Sequence, residues 1–328
     1  MNTKKITTLM ILTLSIFMVS MMTLFSRTTK TNLPLVAIAN YGPHSSLEDS
    51  IQGMKDELSN QGFIENKTIR YEMVDVGFEP SLIPQMIMNL KSHHPSVLVV
   101  TTTPVAQYAK GAVKDIPLVY NVITDPVAAG LLDTVNQSQG NMTGSSDKQD
   151  VRLLFDFAKR LLPHASNVGV LYSTAEANDI ALIAMMKQAA KNSRMHVLAI
   201  PIDQARDISV SMQKFKHHVD FIYVGASGAI QPALPVIAAE SKKMGIPVFN
   251  LNDEAVRLGL VLASFGVDYH RVGMNTGKLV ARSLRGESIK TIQPLYPTND
   301  DHHGLVSQQN ATSLGLILPD GDYHAAAA

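Results

Sequence analysis

Residues 97–123 read VLVVTTTPVAQYAKGAVKDIPLVYNVI. A run of β-branched apolar residues, a proline heading an Ala-containing stretch, and a second apolar run make a strand–helix–strand unit. Runs that are apolar at nearly every position suit strands buried on both faces, as in parallel sheets covered by crossover helices. The same plan extends outward. Apolar runs at Leu35–Asn40, Ile69–Val76, Val97–Thr102 and Leu118–Ile123 alternate with helical segments. The order then returns at Val168–Tyr172, His196–Ile202, Phe221–Val224 and Val248–Leu251. The expected fold class is α/β: two similar lobes with parallel sheets, facing one another across a cleft. A ligand of such sheets belongs beyond the carboxyl ends of the strands.

Lys plus Arg and Asp plus Glu both number 28, which argues against the basic excess of a general nucleic-acid binder. There is no cysteine, so disulfides, thiolate metal sites and thiol nucleophiles are excluded. Lys4 and Lys5 precede an uncharged, largely apolar run from Ile6 to Phe25. A basic start followed by an apolar stretch is the pattern of a secretory signal, and its length also suits one membrane span. Residues 1–32 are therefore expected to be a signal peptide or N-terminal membrane anchor plus linker. The protein is expected to be exported and periplasmic, soluble or anchored to the inner membrane, touching the membrane only through that segment.

The strand ends carry the candidate chemistry. Thr101-Thr102-Thr103-Pro104 opens a helix, where Thr103 either caps its own helix or shares free N–H groups with an anion. Asp125, before a proline, is a turn former or a partner for an ammonium. Asn141–Asp147 offers Ser145 and Asp147 at a crossover. Ser173-x-x-Glu176 has the form of a capping box, yet Glu176 and Asn178 stand at a cleft-facing helix start. Residues 225–230, GASGAI, form a small-residue loop that lets backbone approach a ligand, with Ser227 its one hydroxyl. Asp253 and Asp268 follow later strands. Tyr41, Tyr172, Phe265 and Tyr269 are available to pack on an apolar group. The pairs His93-His94, His217-His218 and His302-His303 are neighbours that diverge on one element, so no metal site is expected. No nucleophile–base–acid set stands out, and neither an enzyme activity nor a cofactor is expected.

Lobe crossings are expected near 144–147, 266–268 and 292–297. That gives one lobe from 33–146 and 268–291, a second from 147–267 and 292–320, and a tail at 321–328. Residues 291–319 are expected to hold a loop, a helical turn near Asn310–Leu314 and a final apolar run.

Six segments in order resemble one family: TTTPVAQYA (101–109), DIPLVYNVITDPVAAGLL (115–132), NMTGSSD (141–147), NVGVLYSTAEAN (167–178), IPVFNLNDEAVRLG (246–259) and FGVDYHRVGMNTGKLVARSLRGE (265–287). The family is the substrate-binding component of ABC transporters of the tryptophan/tyrosine type. The resemblance implies the type I periplasmic-binding fold: two Rossmann-like lobes joined by hinge crossovers, in a monomer that closes on an aromatic or hydrophobic amino acid. Its partner would be a membrane permease; the alternatives are a ligand sensor of the same fold and, behind it, a cleft enzyme. Matched by position, the implied ligand-binding residues are Thr102, Thr103, Thr124, Asp125, Ser145, Asp147, Glu176, Asn178 and Asp268. Ser227, Asp253 and Tyr41 join them from the strand-end reading. One departure stands out: relatives carry an acidic or amide-bearing loop where this chain has GASGAI.

Overall fold

The structure, a computed structural model, describes residues 33–318 and 324–326. The expected signal or anchor at 1–32 lies outside them. Among the described residues, no helix is long and apolar enough to cross a membrane.

Ten helices of four residues or more and twelve strands are described. The strands of the first sheet are β1 (Leu35–Asn40), β2 (Arg70–Asp75), β3 (Val97–Thr101), β4 (Leu118–Ile123) and β5 (Met142–Ser146). They lie in the order β2-β1-β3-β4-β5, all parallel. Alternation of side chains across the pleat divides the covering helices. Val36, Ile38, Val97, Val99 and Val119 pack under α1 (Ser45–Asn60). Ala37, Ala39, Leu98 and Val100 pack under α2 (Ile83–Ser92) and α3 (Thr103–Ala112).

The second sheet repeats the order. β6 (Asn167–Tyr172), β7 (His196–Pro201), β8 (Phe221–Val224), β9 (Val248–Asn250) and β10 (Ala263–Val267) run β7-β6-β8-β9-β10, parallel throughout. One face is covered by α4 (Val151–Leu161) and α5 (Ala177–Ser193), and the other by α6 (Ile208–Met212) and α7 (Leu234–Met244). The short α8 (Asp253–Arg257) follows β9. α9 (Tyr269–Leu284) then leaves β10 and packs on α1 of the first sheet. The contact depends on missing side chains: a Cβ at Gly273 would lie 1.8 Å from the Ser50 carbonyl, and one at Gly53 2.0 Å from that of His270. Beneath it, Asn121 Oδ1 accepts from Ser50 Oγ (2.9 Å) and Thr276 Oγ1 (2.7 Å), tying both helices to β4.

Three elements differ from expectation. NMTGSS, read as crossover, supplies β5, which is buried along its length. Its polarity hides this: Gly144 is needed because a Cβ there would meet the Tyr120 carbonyl at 2.2 Å, and Leu295 pairs with the strand's other edge. β11 (His302–Ser307), read as loop, pairs antiparallel with β10, and the helical turn beside it is α10 (Gln308–Ser313). His324–Ala326, read as tail, forms β12, parallel to β11; a run of alanine carries no strand signal.

Candidate functional site

Between the two sheets, at the carboxyl ends of their strands, lies a cavity of about 60 Å³. The first lobe contributes Tyr41 after β1, Phe78 after β2, Thr102 and Thr103 after β3, Val122 from β4 and Thr124 after it, and Asp147 after β5. The second contributes Glu176 and Asn178 after β6, Ser227 and Gly228 after β8, Leu251 after β9, and Tyr269 after β10. A second cavity adjoins it, sharing Thr124, Asp147, Asn178 and Tyr269 and adding Asp179, Gln149 and Tyr223.

Backbone strain concentrates here. Among the described residues, seven non-glycine residues have positive φ, and the phenylalanine and the two β-branched residues all line the cavity: Phe78 (64°), Thr102 (77°) and Val122 (57°). Such conformations cost about 1–3 kcal/mol each and persist only where the surroundings impose them. At Val122 the register between β4 and β5 shifts. At Thr102 the unusual backbone precedes α3, and the Thr102 side chain makes no capping bond. Its Oγ1 is buried without a partner. The N–H groups of α3's first turn have no intrahelical acceptor, and Pro104 removes one of them. This end of the cavity is suited to an anion.

The other polar wall is made of carboxylates. Asp147 is 5% exposed; Tyr269 Oη donates to its Oδ2 (3.2 Å), while Oδ1 is buried and unpartnered. Burial pushes its carboxyl up to about 6. Glu176 does not form the capping box its spacing suggested. Its Oε2 accepts from Gly228 N–H (3.0 Å) and Asn178 Nδ2 (3.1 Å), and burial raises its pKa. Asn178 Nδ2 also donates to the Ala226 carbonyl (2.7 Å), leaving Oδ1 unpartnered. Asp179 Oδ2 accepts from Ser173 N–H (2.6 Å) and Ser227 Oγ (2.7 Å); burial, and then the neighbouring Glu176, push it up to about 7. Among the described residues, no lysine or arginine lines either cavity. His44, the one histidine among the described lining residues, is pushed down by burial and so tends to neutrality. Buried carboxylates without a counter-charge favour a cation.

Of the residues expected from sequence, Tyr41, Thr102, Thr103, Thr124, Asp147, Glu176, Asn178 and Ser227 line the cavity. Four do not. Asp125 accepts from Val127 and Ala128 N–H and pairs with Lys148 (2.6 Å), so it is a turn former. Ser145 is fully buried within β5. Asp253 accepts from Ser264 Oγ (2.5 Å) and pairs with His303 (3.1 Å). Asp268 caps α9 through Arg271 N–H (3.0 Å). For the three acids a local or connector partner satisfies the group that could have met a ligand, whereas Ser145 Oγ is shut inside the sheet without a hydrogen-bond partner. Sequence reasoning missed Phe78, His44, Gln231 and Asp179. The last had a signal, as the acid one residue beyond the Asn178 already singled out. It is tied to the GASGAI loop through Ser227.

The family model described as ABC transporter substrate binding protein matches residues 35–322. The chain belongs to that family. A tyrosine-binding protein of Clostridioides difficile (strain R20291) is 25% identical over 281 residues, covering 86% of this chain and 81% of that protein. Among solved structures, a Streptococcus pneumoniae ABC domain in complex with L-Trp is 23% identical, with a TM-score of 0.83 over 89% of this chain and 99% of that one. The ligand-free, open structure of a Clostridium difficile substrate-binding protein with adhesive properties is 25% identical. Its TM-score is 0.69 at the same coverage. These neighbours share the type I periplasmic-binding fold, and the family's members bind small-molecule substrates for ABC transporters.

Proposed function

We propose that this protein is an extracytoplasmic receptor that captures an aromatic or large hydrophobic amino acid between its lobes and delivers it to an ABC permease. One observation carries the reading: the cavity sets an anion-suited helix terminus (Thr102, Thr103, α3) against uncompensated carboxylates (Asp147, Glu176). A zwitterion matches that pairing. Its carboxylate meets the α3 end, and its ammonium meets Asp147 and the unpartnered Asn178 Oδ1. The rest of the wall is aromatic and aliphatic: Tyr41, Phe78, Leu47, Val122 and Leu251. Tyr41 and Phe78 are already packed edge to face at 5.5 Å.

Capture is by lobe closure about the connectors 146–150, 267–268 and 296–301. Gln149 Nε2 bonds to the Phe265 carbonyl of β10 (2.8 Å), and Asp268 N–H to that of Asp301 (2.9 Å), so the first connector is held to the second sheet and the other two to each other. The greater likeness to the L-Trp complex than to the open relative supports a closed arrangement here. The N-terminal basic-apolar segment supports export.

The test is thermal-shift screening of the protein with L-tryptophan, L-tyrosine and L-phenylalanine, beside tryptamine and indole-3-propionate. A ligand at a hundredfold excess over Kd stabilises by about 2.7 kcal/mol. The expected result is a shift with at least one amino acid and none with the analogues lacking carboxylate or ammonium. A shift with the analogues, or with none of the amino acids, would reject the zwitterion reading.

A further inference from the structure

We infer that Asn252 is a closure latch: its side-chain amide, which itself lines neither cavity, sets how long the protein holds its ligand by tying the second lobe to Ser45 and to the cavity-lining Ser46 of the first. The inference rests on the closing motion proposed above.

Asn252 lies between β9 and α8. Its Oδ1 accepts from Glu254 N–H (2.7 Å), capping α8, and its own N–H donates to Asn250 Oδ1 (2.8 Å). Cap and turn together fix the plane of the amide. The other half of that amide, Nδ2, then crosses between lobes and donates to Ser45 Oγ (2.7 Å) and Ser46 Oγ (2.7 Å). An amide nitrogen has two hydrogens, so both bonds form at once. The two serines open α1, but their hydroxyls are not committed to capping it. That role falls to His44 Nδ1, which accepts from Ser46 N–H (3.3 Å). The three residues therefore form a pre-set contact whose halves are each held by their own lobe, and no connector takes part in it.

The groove around the latch carries both signs of charge: Asp49, Asp253 and Glu254 line it together with Arg257, His270 and His303, and Asp253 is already paired with Arg257 (3.5 Å) and His303 (3.1 Å). An amide and two hydroxyls attract one another without drawing on those pairs, so the contact forms and breaks without disturbing them. Lobe separation breaks both bonds together, so the latch acts on ligand release more than on ligand entry.

The test uses the full chain with Gln85→Cys and Gln204→Cys, exposed positions on the two lobes. Fluorescent labels there report lobe separation, and with no native cysteine they attach nowhere else. Asn252→Ser retains a good helix cap but cannot reach the serines. The expected result is a closed population in the ligand-free protein that Asn252→Ser depletes. Ser45→Ala is expected to weaken closure alone but to add little on top of Asn252→Ser. With whichever of L-tryptophan, L-tyrosine or L-phenylalanine binds, Asn252→Ser should raise the dissociation rate about tenfold, the weight of one or two net hydrogen bonds, with association unchanged. Equal closed populations in the parent and Asn252→Ser proteins, or fully additive effects of the two substitutions, would overturn the latch. If no amino acid binds the parent, the function proposed above fails, while the label distances still decide the latch.

Discussion

Ligand capture should expel protons. Asp147 and Asp179 are pushed up to about 6 and about 7 by burial, and Glu176 is raised as well. The groups facing them are Tyr269, Tyr223, Asn178 and Ser227, none of them cationic, and His44 tends to neutrality. An ammonium arriving beside Asp147 favours its ionised form. If that form is required, a carboxyl with a ligand-free pKa of about 6 is ready in roughly one molecule in eleven at pH 5, and in nearly all at pH 8. Affinity should therefore fall about tenfold between pH 8 and pH 5, equivalent to about 1.4 kcal/mol. Participation of Asp179 would steepen the fall. Isothermal titration at pH 6 in buffers of different ionisation enthalpy measures the protons released, expected at roughly one half or more per ligand, the protonated share at the pKa. Asp147→Asn retains an acceptor for Tyr269 and should flatten the pH profile. Unchanged affinity from pH 5 to 8, with no buffer dependence of the binding enthalpy, would refute the argument.

Gly228→Ala should weaken amino-acid binding at least tenfold, because its Cβ would fall 2.4 Å from the buried Tyr41 ring across the cavity; titration calorimetry reads this. Thr102→Gly should raise melting temperature by relieving a backbone strain of about 1–3 kcal/mol, yet lower affinity by deleting the unpartnered Oγ1. Asp179 has a folded pKa above its unfolded one, so its contribution is fully present below about pH 4 and is lost as pH rises through about 7. Asp179→Asn should accordingly gain on the wild type as pH is raised from 5 to 8, in thermal denaturation curves. His44 works the opposite way in both proteins and cancels from that difference.

The strands that were legible in sequence are those whose burial is written in their own side chains: LVAIAN, VLVVT and FIYV are apolar nearly throughout. β5 and β11 were not, since their places depend on neighbours. Gly144 in β5 is specified by the backbone of Tyr120, and HHGLVS becomes a strand only because β10 offers an antiparallel edge. The site divides in the same way. The rule that ligands meet strand ends led to Thr103, Asp147 and Glu176. It could not separate them from Asp125 or Asp268, where a turn or a helix cap satisfies the same kind of carboxylate locally. Phe78 and Val122 reach the cavity through backbone angles foreign to their residue types, so no propensity could announce them.

The docking of α9 on α1 bears on how the protein is made. Val36, Ile38, Val97, Val99 and Val119 share their packing with Leu279 and Val280, residues synthesised only after the whole five-stranded parallel part of the second sheet. As the chain emerges, this N-terminal sheet face must wait, partly bare, while about 160 further residues are translated between Val119 and Leu279. Exposed apolar strands of this kind are prone to associate with other chains. A polypeptide wired in this way is suited to staying unfolded until its synthesis is complete, the condition that transport through a narrow channel also demands.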